Sequence, residues 1–319
     1  ILAAEQTLTS DSWYEGTADA VRKNLIHLLN NDFEYMLILS GDQLYRMDFR
    51  EIIASHLERK AELTVATIPV SRAHATGFGI MHTSEKGLIR RFVEKPDTSE
   101  VLDSLKLPAA QLSDLGLETG SDHCLASMGI YLFNRQTLIE LLENKMTDFG
   151  KHIIPRSIET HAVYSHVYQG YWEDIGTIRA FFEANLDMTS ALPQFDFFEM
   201  ETPVYTRPRF LPASKINGAA IDQAIISDGC IIDRSRISQS HIGVRTIIAP
   251  GCRVHRSILL GSNKYETESS KAASDHECIP RIGVGGNTRI ENTIVDKNAR
   301  IGANCVITPD NKPEHSDGD

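Results

Sequence analysis

The chain has 319 residues, 41% hydrophobic and 24% charged, with 21 Gly and 12 Pro. That mixture excludes collagenous, low-complexity and wholly disordered chains, and the length suits two domains at about 150 residues each. Lys and Arg number 32 against 43 Asp and Glu, a net charge of −11, and such an anionic surplus repels nucleic-acid backbone and anionic lipid, so no nucleic acid and no membrane is expected as a partner. The longest apolar runs, such as Tyr35 to Leu39, fall far short of the roughly 18 residues of a spanning helix. Cys124, Cys230, Cys252, Cys278 and Cys305 form no C-x-x-C pair, which argues against a zinc knuckle or a disulfide scaffold and for a reducing compartment.

From residue 1 to about 190 the chain alternates short apolar runs with amphipathic stretches, the pattern of an α/β sheet with helices packed on it. Thr17 is placed to cap a helix whose buried stripe is Val21, Leu25, Leu28 and Leu29. A strand follows at Tyr35 to Leu39, and Phe49, Ile52, Ile53 and Leu57 mark a second helix. Further strands are expected at Leu63 to Val70, Leu88 to Val93, Ala126 to Phe133 and Val163 to Tyr168; the first and third are apolar or β-branched throughout and belong at the sheet centre. Leu138, Leu141 and Leu142, then Ile178, Phe181, Phe182 and Leu186, mark helices. Between Asp97 and Asp122 leucines are sporadic, and a surface excursion is expected.

A Pro-containing linker at 191–212 breaks this alternation. From 213 to 308 aliphatic residues recur every five or six positions: Ile216, Ile221, Ile226, Ile232, Ile237, Ile242, Ile248, Val254, then Ile290, Val295, Ile301 and Val306, with turn-forming glycines between them. Six residues per side is the spacing of a parallel β-helix, in which each inward aliphatic stacks on one from the preceding coil. Ser262 to Pro280 interrupts the ladder as a loop, Gly283 to Gly286 reads as a coil corner, and residues 309–319 form a polar tail.

Asp42, after an apolar strand, puts a carboxylate where open α/β sheets place ligands. Asp174 also follows a strand and precedes a helix, where Asp174 or Thr177 could equally be a cap. If the two carboxylates converge they would suit a hard divalent cation such as Mg²⁺, which prefers oxygen ligands and substrate phosphates. Glu94-Lys95-Pro96 closes a strand, and a lysine there offers a compact cation to a phosphate. Gly79 and Ser127 offer a close backbone approach and a small hydroxyl, although glycines in strands are as often bulges. The twelve histidines contain no H-E-x-x-H and the chain no G-x-S-x-G, so zinc proteolysis and α/β-hydrolase chemistry have no support. His27 and His56 read as helix-face residues.

In this order the segments Trp13-Tyr14-Glu15-Gly16-Thr17-Ala18-Asp19, Leu39-Ser40-Gly41-Asp42-Gln43-Leu44-Tyr45, Phe92-Val93-Glu94-Lys95-Pro96, Ala126-Ser127-Met128-Gly129-Ile130-Tyr131, Asp148-Phe149-Gly150-Lys151 and Trp172-Glu173-Asp174-Ile175-Gly176-Thr177 resemble the ADP-glucose pyrophosphorylase (glucose-1-phosphate adenylyltransferase) family. The resemblance implies a nucleotide-binding mixed α/β sheet with flanking helices, of the Rossmann-like sugar nucleotidyltransferase type, joined to a left-handed parallel β-helix. It implies the reaction of ATP with glucose 1-phosphate to give ADP-glucose and pyrophosphate in glycogen or starch biosynthesis. It also implies a homo- or heterotetramer answering to a small-molecule allosteric effector, in the bacterial cytoplasm or a plastid stroma. Asp42 and Asp174 fall on the family's Mg²⁺ positions, Lys95 on its sugar-phosphate lysine, and Tyr14, Gly79, Glu94 and Ser127 on its sugar-phosphate pocket; Asp42 and Lys95 are the expected catalytic pair. Another sugar-1-phosphate nucleotidyltransferase and a non-catalytic regulatory subunit are the alternatives. The family's glycine-rich phosphate loop would lie upstream of Ile1, so the 319-residue stretch is expected to be a fragment that does not turn over by itself.

Overall fold

The computed structural model describes residues 13–313. They form two compact units, one from the residues up to Gly41 together with Arg46–Trp172, the other from Asp42–Tyr45 and the residues from Glu173 onward.

The first part of the chain carries α1 (Thr17–Leu29), β1 (Tyr35–Ile38), β2 (Gln43–Tyr45), α2 (Phe49–Glu58), β3 (Leu63–Ser71), β4 (Gly79–Thr83) and β5 (Ile89–Glu94). There follow α3 (Ser99–Ser104), α4 (Ala109–Asp114), β6 (His123–Asn134), α5 (Arg135–Leu142), a π-helical turn at Phe149–Ile153, α6 (Ile154–Thr160), β7 (Val163–Val167), β8 (Trp172–Asp174) and α7 (Ile178–Asp187). The main sheet runs β5-β4-β6-β3-β7, with β1 beside β6. Only β3 and β7 run parallel in it. The two strands expected at the sheet centre, β3 and β6, are central. Leu63, Val65, Phe133, Leu138, Leu142, Phe149 and Ile153 pack into one buried cluster.

Two expectations change, and one element is new. Thr17 is the first residue inside α1 rather than its cap, which is Gly16. The Thr147 carbonyl accepts from the N–H groups of Ala18 and Asp19 (2.9 and 3.2 Å) and meets two of the free donors of the first turn. A Cβ on Gly16 would lie 2.4 Å from that oxygen, while the Thr17 hydroxyl accepts from the Phe149 N–H at 3.2 Å. The stretch from Asp97 to Asp122 is not a bare excursion, because it contains α3 and α4 and buries Leu102, Leu105, Leu107 and Leu112. The sequence also concealed β4, which opens on Gly79 and pairs with β5 and β6.

The second unit's coils are β9 (Lys215–Asn217), β10 (Ala220–Ile226), β11 (Ile231–Asp233), β12 (Arg236–Ile242), β13 (Ile247–Ile248), β14 (Arg253–His255) and β15 (Ile258–Leu259). After α8 (Glu268–His276) come β16 (Gly283–Val284), β17 (Arg289–Glu291), β18 (Ile294–Val295), β19 (Arg300–Ile301) and β20 (Val306–Ile307). All of these strands pair in parallel, and the register stacks the aliphatics in three columns. Ile216, Ile232, Ile248, Val284 and Ile301 form the first. Ile221, Ile237, Val254, Ile290 and Ile307 form the second, and Ile226, Ile242, Leu259 and Val295 the third. The last coil corrects the sequence reading: Ile307 stacks on Ile290, while Val306 lies beside Arg289 and is 69% exposed. The interruption at Ser262 to Pro280 contains α8, capped by the Thr267 hydroxyl. Gly283 belongs to β16, and the corner falls on Gly285 and Gly286; a Cβ on Gly285 would lie 2.5 Å from the Gly302 carbonyl carbon of the next coil.

Candidate functional site

In the second unit β2 and β8 pair as a two-stranded ribbon, and the Ile175 N–H donates to the Asp42 carbonyl at 3.0 Å. The ribbon brings Asp42 and Asp174 to one place. A Cβ built on Gly176 would lie 2.9 Å from Asp174 Oδ1 and 3.1 Å from Asp42 Oδ2, so both oxygens approach a single point beside a residue without a side chain. Asp174 Oδ1 also accepts from the Gly176 N–H at 2.9 Å. The Thr177 hydroxyl, not Asp174, caps α7 by accepting from the Ala180 N–H. Among the described residues no group of three or more His, Cys, Asp or Glu side chains is arranged to hold a metal ion. Two carboxylate oxygens approaching one point are hard donors of the kind Mg²⁺ takes, usually alongside waters and substrate phosphates.

The first unit holds a different constellation, centred on Glu94. Its Oε2 would lie 2.7 Å from a Cβ on Gly79 and 2.8 Å from one on Gly150, so the carboxylate fills a slot between two glycines. Gly79 pairs with Glu94 across β4 and β5, and the register of Ile80 with Ala126 carries Gly79 on to Ser127. Burial pushes the Glu94 carboxyl above its ordinary range, and the negative Asp148 pushes it further, against Lys95 and Lys151. Asp148 caps the π-helical turn by accepting from the Lys151 N–H at 2.8 Å. Tyr131 is buried, and its phenol is pushed up to about 12, chiefly by burial and also by Glu94 and Asp148, while a hydrogen bond with Ser127 works the other way.

Lys95 leaves the sheet in the left-handed region, φ 47°, with its N–H donating to the Phe78 carbonyl at 3.0 Å. A lysine before a proline ordinarily avoids that conformation, and backbone held there collects at functional sites. Its exposed side chain contributes to the field around Glu94.

The structure thus brings Gly79, Glu94, Lys95 and Ser127 together in one unit, and Asp42 with Asp174 in the other. Tyr14 sits apart from the Glu94 group in its bonding, because its hydroxyl accepts from Asn24 Nδ2 at 2.7 Å within the α1 region. The link between them is the chain itself: α1 is seated on the Thr147 carbonyl, one residue before Asp148. Sequence reasoning missed Asp148, Lys151 and Tyr131 as members of the group. The two glycines flanking Glu94 in space, far apart in sequence, are the signal for which no local pattern exists. His56 lies on α2 as expected, on its inner face: it is buried, with Nδ1 2.7 Å from Thr64 Oγ1 and Nε2 2.9 Å from Asn134 Oδ1, tying α2 to the sheet.

A mixed α/β sheet with paired strand-end carboxylates, followed by a parallel β-helix, defines a class of group-transfer protein. Residues 1–191 match the family model described as Nucleotidyl transferase, and the chain belongs to that family. Residues 209–319 match the GLGC left-handed parallel beta-helix domain, and the two in this order form the architecture of the ADP-glucose pyrophosphorylases. No helix among the described residues is long and apolar enough to cross a membrane.

Proposed function

We propose that this chain serves glucose-1-phosphate adenylyl transfer: ATP and glucose 1-phosphate give ADP-glucose and pyrophosphate, the entry to glycogen or starch. The observation that carries the reading is the approach of Asp42 and Asp174 to one point beside Gly176, in a nucleotidyl transferase whose second domain is of the GLGC type. The reaction needs no nucleophilic side chain, since a phosphate oxygen of the sugar phosphate attacks the α-phosphorus of ATP and pyrophosphate departs. Positioning and charge neutralisation supply the rate. Asp42 and Asp174 would hold Mg²⁺, which when bound stabilises negative charge on the reacting phosphates. Lys95 binds the sugar phosphate. Glu94, set in its slot with Ser127 and Tyr131 beside it, accepts hydrogen bonds from sugar hydroxyls, and the Gly79 backbone allows the ring to approach closely.

The test is pyrophosphate release by the intact protein, measured with each of ATP, GTP, dTTP and UTP against several sugar 1-phosphates. ATP with glucose 1-phosphate is expected to give the highest kcat/KM. A preference for another pair would reassign the protein to a different sugar nucleotide, and no turnover in any pair alongside stimulation of an active partner subunit would make it a regulatory subunit.

A further inference from the structure

In the first unit the turn at 142–147, which leads from α5 to Asp148, is held by a side chain that belongs to neither substrate pocket. Arg22, on α1, enters that turn with its side chain only 20% exposed. Its Nε donates to the Leu142 carbonyl at 3.0 Å, and its Nη2 donates to the Met146 carbonyl and, at 3.4 Å, to Asn144 Oδ1. Leu142 is the last residue of α5, so the guanidinium caps the negative end of that helix as well as the turn that follows it. Asn144 draws the turn together from within: its Oδ1 accepts from the Met146 N–H at 2.8 Å and its Nδ2 donates to the Leu141 carbonyl at 2.6 Å. Asp19 steadies Arg22 from the other side, with Oδ1 3.4 Å from Nη1.

These bonds bracket Asp148. On one side the Met146 carbonyl accepts from Arg22 and the Thr147 carbonyl from the start of α1; on the other the Phe149 N–H donates to the Thr17 hydroxyl. Asp148 in turn accepts from the Lys151 N–H and sets the π-helical turn in which Gly150 lies against Glu94 Oε2. A misplacement of about 1 Å in such a supporting segment is enough to cost a site about 10²-fold. The charges that act on Glu94 are Asp148, Lys95 and Lys151, and the buried Tyr131 phenol is coupled to it; Arg22 is not among them. What Arg22 does to Glu94 it therefore does through the turn.

Resting on the adenylyl-transfer reading, we propose that Arg22 is a positioning residue of the sugar site: by pinning the 142–147 turn it fixes where Asp148 and Gly150 stand against Glu94, and so sets the affinity for the sugar 1-phosphate without being a ligand of it. A lysine does not replace it, because a single ammonium on a flexible stem lacks the planar fork that meets two carbonyls at once.

Two measurements on the intact protein test it. In steady-state kinetics Arg22→Gln should raise KM for glucose 1-phosphate about tenfold or more, with KM for ATP and kcat within about threefold of the parent. Arg22→Lys, which keeps the charge beside Asp19 and so guards the fold, should shift the same constant in the same direction by a smaller factor. The second measurement needs no substrate: Glu94→Gln is melted at pH 4 and pH 8 in the parent and in the Arg22→Lys background. A loosened turn admits water to Glu94 and withdraws Asp148, so the carboxyl returns toward its ordinary range, and the rise in Tm that Glu94→Gln brings at pH 8 should shrink by about half or more. An arginine that only stabilised the fold would lower every Tm alike and leave that rise intact. An unchanged KM for glucose 1-phosphate, equal increases for both substrates, or an undiminished rise at pH 8 would each overturn the proposal. No turnover of ATP with glucose 1-phosphate by the parent would instead overturn the adenylyl-transfer reading, and the melting comparison would still decide whether Arg22 positions the Glu94 slot.

Discussion

Asp174 Oδ1 and Asp42 Oδ2 lie 2.9 and 3.1 Å from the position that a Cβ on Gly176 would take. Gly176 is therefore a position where a side chain would crowd both carboxylates. Its φ is one that other residues adopt, so alanine meets only the carboxylates and not backbone strain. Gly176→Ala should leave thermal stability nearly unchanged while raising the Mg²⁺ concentration for half-maximal rate. Asp42→Asn should lower kcat by about 10²- to 10³-fold, the usual effect of removing one charge-stabilising contact. Rates and Mg²⁺ dependence like the parent enzyme in both variants would remove these carboxylates from the metal role.

The Glu94 slot makes a prediction in pH. Burial and Asp148 hold its carboxyl above the ordinary range, so the folded protein disfavours the charged form. Its contribution to stability is present at pH below the usual carboxylate range and is lost as pH rises through the raised value. Glu94→Gln removes that dependence. The variant should melt higher than the parent at pH 8 and at the same temperature at pH 4, while losing affinity for glucose 1-phosphate. A stability difference independent of pH would mean that the carboxylate is solvated.

Lys95 is expected to act in ground-state binding. Its loss in Lys95→Gln should raise KM for glucose 1-phosphate at least tenfold and leave KM for ATP within about twofold, since a cation that meets phosphate equally before and at the transition state contributes uniform binding. Equal increases for both substrates would contradict the assignment.

What the sequence could show depended on whether a signal was local. The stacked aliphatics of the β-helix repeat at a fixed spacing, so Ile232, Ile248 and their columns were readable one after another. The final coil was not, because Val306 and Ile307 are both β-branched and only the pairing with Ile290 decides which points inward. Helix α4 escaped notice because Leu112 and Leu115 are too few to set a period within six residues. Tyr131 was concealed inside a strand whose apolar run already explained it. Asp148 stood in the sequence only within the segment Asp148-Phe149-Gly150-Lys151, and no local pattern could set it near Glu94, whose carboxyl it pushes upward. The Asp42 and Asp174 pair was legible only as two strand ends, and it took the ribbon of β2 with β8 to show that they meet.

The corrected register of the last coil gives a prediction within a single dipeptide. Ile307 stacks on Ile290 and packs against the β-helix core, whereas Val306 is 69% exposed beside Arg289. A carboxylate at an inward position loses the aliphatic packing and must also be desolvated, while one at the outward position meets solvent and a neighbouring guanidinium. Ile307→Asp should therefore lower Tm clearly, and Val306→Asp should leave it within about a degree. Ile232→Asp, which places the charge between Ile216 and Ile248 at a fully buried site, should be the most damaging of the three, since losing such a buried aliphatic alone costs roughly 2–5 kcal/mol. Thermal melts of the three single variants measure the order directly. If Val306→Asp proved the more harmful of the adjacent pair, the last coil would be turned by one residue relative to this structure, and the five-residue step from Ile301 to Val306 read from the sequence would be right.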